Sequence, residues 1–362
     1  MRGIRISIAV IVSALISIGV IWIFSSSGIY ALQELGDSLY FLKRHLLFLG
    51  LGFILTFASM AIDYRRLRII AKPLILFTIL LLVLVLIPGI GKASSGARRW
   101  FKVCFFSFQP SEFAKLALMV YISDFLARKQ NKIGDFVEGF MPPIIVMGVI
   151  SILIVKQPDL GNSVLIACIS LTMMFIAGAR LKHIFMLGLM AAPFLYFLVV
   201  KVPYRMQRIL AFIDPWKDCH GIGFQLSQSQ IALGSGGLFG VGLGKSMQKL
   251  FYLPAAHTDF ILSIIGEETG LVGTLAVVML FIAFIWQGAR IAKRTADPFG
   301  YFLSIGIVVM LGMQAFVNIG VSIGALPTKG LPLPFVSYGG SALIFNMVAV
   351  GLLLNISRTE EL

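Results

Sequence analysis

Asp259 stands where a loop rich in proline and glycine gives way to a long apolar segment. An ionised carboxylate beside hydrocarbon is costly unless something holds its charge, so its presence asks for a functional reason. Two further acids stand the same way, Glu112 in Gln109-Pro110-Ser111-Glu112 and Asp159 in Gln157-Pro158-Asp159. A proline in the first turn of a helix loses no hydrogen bond there, and the helix dipole favours the carboxylate that follows. Capping accounts for any one of these acids taken alone. Three together, at one depth on the basic side, are more than capping alone calls for. Glu112 and Lys115 are three residues apart on one helical face and are expected to pair. Glu267 and Glu268 follow Asp259 on the same segment, which on a straight helix places them roughly 12–14 Å deeper. Both read as structural groups bonded to neighbouring helices, while His257 and Thr258 either orient Asp259 or cap its helix.

The elements that must carry these residues are set by composition: 58% of the 362 residues are hydrophobic, 13% are charged, and mean hydropathy is +0.95. No soluble domain has that balance. Apolar runs long enough to cross the hydrocarbon core fall near 6–24, 44–62, 71–88, 111–127, 142–156, 159–179, 182–201, 258–286, 299–325 and 337–357. The expected fold class is therefore an all-α polytopic membrane protein of ten transmembrane helices, a single integral membrane domain over 1–362. The first run, preceded by Arg2 and Arg5, reads as an uncleaved signal anchor. Basic turns at Arg65, Arg66, Arg68 and Lys72, at Arg128, Lys129 and Lys132, at Arg180 and Lys182, and at Arg290, Lys293 and Arg294 mark the inner face. Both termini are then cytoplasmic, and a large loop of about 202–257 between the seventh and eighth helices is extracytoplasmic.

That orientation leaves the outer face basic, with Lys92, Arg98, Arg99 and Lys102 in one connection and Lys201, Arg205, Arg208, Lys217, Lys245 and Lys249 in the large loop. Long loops translocate whatever their charge, but the 89–110 connection is short, so its cations point to an anionic partner. A phosphate-bearing lipid head group fits, with Arg as a planar fork and Lys as a point charge. Within the large loop, 204–213 (YRMQRILAFI) alternates basic and apolar positions at helical spacing and is expected to lie along the membrane surface. Ser337 belongs to 329–341, which leads into the tenth span, where backbone N–H groups could meet an anion or glycines could let helices pack closely.

Several functions are excluded. Gly244-Lys245-Ser246 is not a nucleotide P-loop, because Phe239 stands where the motif needs glycine, and no dinucleotide fingerprint fits. Cys104, Cys168 and Cys219 lack metal-ligand spacing. Nothing in the pattern of cations calls for nucleic acid.

The chain nevertheless resembles the SEDS (shape, elongation, division and sporulation) family. The likeness is carried by Arg99-Trp100, Gln109-Pro110-Ser111-Glu112, Gln157-Pro158-Asp159-Leu160-Gly161, Pro203-Tyr204-Arg205, Asp214-Pro215-Trp216, Gly223-Phe224-Gln225, the run 236–260 ending His257-Thr258-Asp259-Phe260, and 334–341. Leu326-Pro327-Thr328-Lys329-Gly330 is similar to the division-associated branch. One departure is Ala255, where the family's pattern has an acid; it argues against a metal site at that position.

The resemblance implies a peptidoglycan glycosyltransferase of the cytoplasmic (inner) membrane, at the division site, that polymerises lipid II on the outer face. Its implied partners are a polyprenyl-pyrophosphate-linked glycan, a class B penicillin-binding protein acting as transpeptidase, other divisome membrane proteins and membrane lipid. Asp259 matches the family's essential aspartate and would act as general base on the acceptor hydroxyl. Glu112, Lys115 and Asp159 match the surrounding polar cavity, and Arg99, Lys245 and Lys249 are candidates for the pyrophosphate, with His257 and Ser337 supporting. No cofactor is certain; Mg2+ or Mn2+ could bridge Asp259 and pyrophosphate. Two other readings are a lipid II flippase or transporter, which would set acids near the midplane, and a non-catalytic scaffold, which would tolerate loss of Asp259.

Overall fold

A chain crossing hydrocarbon must satisfy its backbone internally, so long apolar runs fold as helices. The computed structural model, which describes residues 1–94, 97–103 and 106–361, bears this out. Its helices are α1 (Arg2–Leu35), α2 (Tyr40–Ala61), α3 (Leu67–Leu84), α4 (Pro110–Arg128), α5 (Met141–Lys156), α6 (Leu160–Ile176), α7 (Leu181–Val200), α8 (Pro203–Ile213), α9 (Phe224–Ser235), α10 (Ile261–Arg294), α11 (Pro298–Ser322) and α12 (Gly340–Thr359). Each apolar run found in the sequence carries a helix, including the proline-containing fifth, where Pro142 and Pro143 sit harmlessly in the first turn.

Among the described residues, eight helices are long and apolar enough to cross a membrane. The other two of the ten runs fall short for different reasons. The apolar α6 has 17 residues, and α4 carries Glu112, Lys115, Asp124 and Arg128. Helices α8 and α9 lie in the large connection; the amphipathic segment 204–213 is helical as expected.

Two features go beyond or against the sequence reading. The 89–110 connection, to which the sequence pattern assigns no structure, carries strands within an otherwise helical fold. It forms a small antiparallel sheet of β1 (Lys92–Ser94), β2 (Ala97–Val103) and β3 (Phe106–Phe108), with Lys92 opposite Trp100 and Lys102 opposite Ser107. Alternation along β2 sets Ala97 and Arg99 on one face. Cys104 lies outside the described residues.

The second, a correction, concerns the run starting at 258. Its helix begins at Ile261 and breaks at Gly270, whose φ of 68° and ψ of −162° only glycine adopts readily. The groups freed by the break are paired with the glycine-rich loop: Val241 and Gly242 donate to the carbonyls of Glu267 and Glu268, and Leu271 and Val272 donate to those of Gly237 and Leu238. The depth expected for Glu267 and Glu268 on a straight helix therefore does not apply.

Small residues let neighbouring helices approach closely. Gly52 of α2 lies under Met347 of α12, and Thr56 donates to the Met347 carbonyl at 3.1 Å. At one end of the bundle, Asp124 is held by Arg128 (2.7 Å) and Arg68 (3.6 Å), and the Tyr64 hydroxyl lies 2.9 Å from Glu360 and 3.2 Å from Asp297. Helix α7 buries none of its residues.

Candidate active site

A cavity of about 880 Å³ is enclosed by the β2 face, the start of α6, the α7–α8 corner, α9, α11 and the 326–331 loop. Asp159, Asp259, Arg99, Arg208 and Lys329 line it. Asp159 is the N-cap of α6: its carboxylate accepts from the Asn162 backbone N–H (3.2 Å) and from the Asn162 side chain (2.8 Å). Arg99 reaches across from the sheet and donates to the carbonyls of Gln157 (2.9 Å) and Pro158, which fixes the turn that presents Asp159.

Asp259 lies two residues ahead of α10, outside the spanning helix. Its backbone N–H donates to Ala255 (3.0 Å), and its carbonyl accepts from the Asn318 side chain (2.8 Å), which also donates to Leu331 (2.7 Å). One buried asparagine thus ties the aspartate to the 326–331 loop. Gly330 lies so close that a methyl group there would sit 2.9 Å from Asp259 Oδ2. The carboxyl meets the cavity but is otherwise enclosed by protein. Burial pushes it up to about 6, against the opposing pull of Arg208 and Lys329.

Lys329 Nζ is 3.6 Å from Asp159 Oδ1 and, among the described residues, makes no hydrogen bond. Burial pulls its ammonium down to about 8, with Asp159 opposing. Arg208 donates to the Thr328 carbonyl at 3.1 Å and stacks on Tyr204 with 4.9 Å from its guanidinium carbon to the ring. The cavity therefore presents one desolvated carboxylate with a raised pKa and four cations, Arg99, Arg205, Arg208 and Lys329, an arrangement suited to taking a proton while an anion is held nearby.

Other residues singled out in the sequence lie elsewhere. Glu112 and Lys115 form a buried ion pair at 2.8 Å, as their spacing predicted, behind the cavity wall. Lys249 does not face the cavity: it is buried, pairs with Glu268 at 2.9 Å, and donates to Gly244 (2.6 Å) and Ser25 (3.1 Å). Glu267 accepts from Ser246 and from the backbone N–H of Met247 at 2.9 Å, so both glutamates are structural. Lys245 is exposed and outside the cavity lining. His257 packs in an aromatic cluster, 4.5 Å from Phe41, and burial pulls its imidazole down to about 4. Ser337 accepts from Leu333 N–H at 2.9 Å and is consumed in its own turn.

Lys329 lies within the 326–330 motif, and nothing in the sequence pattern alone assigns it a role. The available signal is that no other Lys or Arg occurs between Arg294 and Arg358. A resident metal finds no cage here: among the described residues no three His, Cys, Asp or Glu come close enough to hold one, and Asp159 is already matched by Lys329 and Arg99.

Comparison with known proteins follows the same line. The family model FTSW_RODA_SPOVE, described as a cell cycle protein, matches residues 5–362. A Geobacter sulfurreducens protein named as a probable peptidoglycan glycosyltransferase FtsW is 48% identical over 344 residues, covering 95% of this chain and 92% of that protein. Stage V sporulation protein E of Bacillus subtilis is 44% identical over 351 residues, covering 97% and 96%. Among solved structures, a chain of a peptidoglycan synthase complex concerned with coordinating polymerization and crosslinking is 29% identical with a TM-score of 0.79 over 98% of this chain and 97% of that one. The rod shape determining protein RodA of Thermus thermophilus is 29% identical with a TM-score of 0.73 over the same shares.

Proposed function

Because the chain belongs to the FTSW_RODA_SPOVE family of cell cycle proteins, we propose that it is a peptidoglycan glycosyltransferase in which Asp259 is the general base. It is a multi-pass membrane protein, and ten crossings are proposed, with α4 and α6 completing the bundle. In that orientation the cavity opens on the outer face, where lipid II would present its sugars.

The observation that carries the reading is the pairing of a desolvated Asp259 with Lys329, Arg208 and Arg99 around one cavity. The acceptor sugar hydroxyl attacks the anomeric carbon of the donor glycan. A glycosidic C–O bond forms, the bond from that carbon to the pyrophosphate breaks, and Asp259 takes the hydroxyl proton. General-base help of this kind contributes ~10²–10⁴ in rate. The departing pyrophosphate carries the new negative charge, and fixed cations in a partly dry site stabilise it without reorganising. Lys329 supplies a point charge whose protons are uncommitted; Arg208 and Arg99 are oriented by the backbone carbonyls they already hold.

A role in division and a class B penicillin-binding protein as partner are proposed from the 326–330 motif and from the relatives' names. The activity is tested by reconstituting the chain with such a transpeptidase in liposomes containing fluorescent lipid II. Glycan polymer is expected; movement of lipid II between leaflets with no polymer would favour a transporter instead.

A further inference from the structure

The loop 237–244 exposes Leu238 (62%), Phe239 (80%) and Leu243 (65%), large apolar side chains that water would penalise. These residues adjoin the break in α10, and below the break Leu271, Leu275, Met279, Ile282 and Trp286 are exposed at helical spacing on one face. That face is the lipid-contacting stripe of a spanning helix. The loop's apolar side chains continue it.

The height agrees. Arg290, Lys293 and Arg294 end the helix at one membrane face, and Gly270 is twenty residues before Arg290. At ~1.5 Å per residue that is roughly 30 Å, the thickness of the hydrocarbon core. The break therefore sits at the opposite boundary, among head groups and the first acyl carbons. The polar groups there are already neutralised: the four backbone groups at the break are paired with the loop, and Glu268 is matched by Lys249. Glu267, Glu268 and Gly270 are buried in protein, so the break itself presents no unpaired backbone to the lipid beside it. Exposed Lys245 at the end of the loop can reach a lipid phosphate.

We propose that 237–244 is an interfacial anchor that inserts Leu238, Phe239 and Leu243 into the bilayer leaflet on its side and places Lys245 against lipid phosphates. The loop leads through 250–258 to Asp259, so the anchor sets the height of the cavity relative to the lipid surface.

The test uses the full chain in liposomes, with its three cysteines replaced by serine and an environment-sensitive dye on Phe239→Cys or, for comparison, on Lys217→Cys. The dye at 239 should emit to the blue, lose quenching by aqueous iodide and be quenched by lipids spin-labelled high on the acyl chain; the dye at 217 should do the reverse. Iodide quenching at 239 would overturn the anchor, as would protection that appears only when a second protein is added. Independently of the cysteine replacements, a diazirine-bearing acyl chain should crosslink the 237–244 peptide of the unmodified protein. Labelling of the exposed α10 face without labelling of that peptide would also overturn it.

Discussion

Gly161 leaves the space through which the side chain of Lys329 passes, and this brings Lys329 Nζ to 3.6 Å from Asp159 Oδ1. A methyl group at 161 would overlap the lysine's Cδ and Cε. Only the far end of a flexible side chain has to move, so Gly161→Ala is expected to keep a near-native thermal midpoint. Displacing the cation is expected to lower kcat by up to ~10²-fold, the cost typical of a misplaced group in an active site. Parallel melting curves and polymerisation rates check this; a loss of activity that tracks a loss of folding would refute it.

The pH dependence follows from Asp259 and Lys329 together. Asp259 must be unprotonated to act as base, so kcat/KM should rise as pH passes about 6. Lys329 must be protonated to hold charge, so it should fall again as pH passes about 8. A bell with those limbs is expected. Lys329→Arg, which stays charged, should remove the alkaline limb and leave the acid limb in place.

Glu112 and Lys115 present a different case, because each is buried and each is the other's counter-charge at 2.8 Å. Lys115→Met strands an unpaired carboxylate and should cost ~3–5 kcal/mol, whereas adding Glu112→Gln to it should restore a substantial part. Denaturation of the single and double variants in detergent reads this directly. Equal stability of the two would show that the pair is not coupled.

Lys249 and Lys245 looked alike in sequence as basic residues of one loop. Lys249→Met is expected to destabilise the protein by ~3–5 kcal/mol through the uncompensated Glu268. Exposed Lys245→Ala should stay within ~0.5 kcal/mol of wild type. A raised KM for lipid II with unchanged stability in Lys249→Met would return that residue to substrate binding.

The elements were legible because hydrocarbon imposes one requirement on every span: a long apolar run marks a helix wherever it occurs. The Glu112–Lys115 pair was legible for a similar reason, since both residues lie on one helix and spacing alone sets their distance. Contacts between segments distant in sequence were not. Whether Lys249 faces a substrate or Glu268 depends on how a glycine-rich loop folds back on α10, and no periodicity encodes that return. The sheet at 92–108 was hidden by its short strands, and the break at Gly270 by a helix pattern that continues on both sides of it. Asp259 could be singled out as a carboxylate at a membrane boundary, whereas its tie through Asn318 to the loop of Lys329 required three segments to be placed together.

The central claim is that Asp259 takes the acceptor proton, and Asp259→Asn tests it with almost no change in shape. In liposomes with lipid II and the transpeptidase partner, the variant is expected to insert and melt like wild type while kcat falls by ~10²–10⁴. Glycan synthesis by a folded Asp259→Asn protein at the wild-type rate would contradict the account.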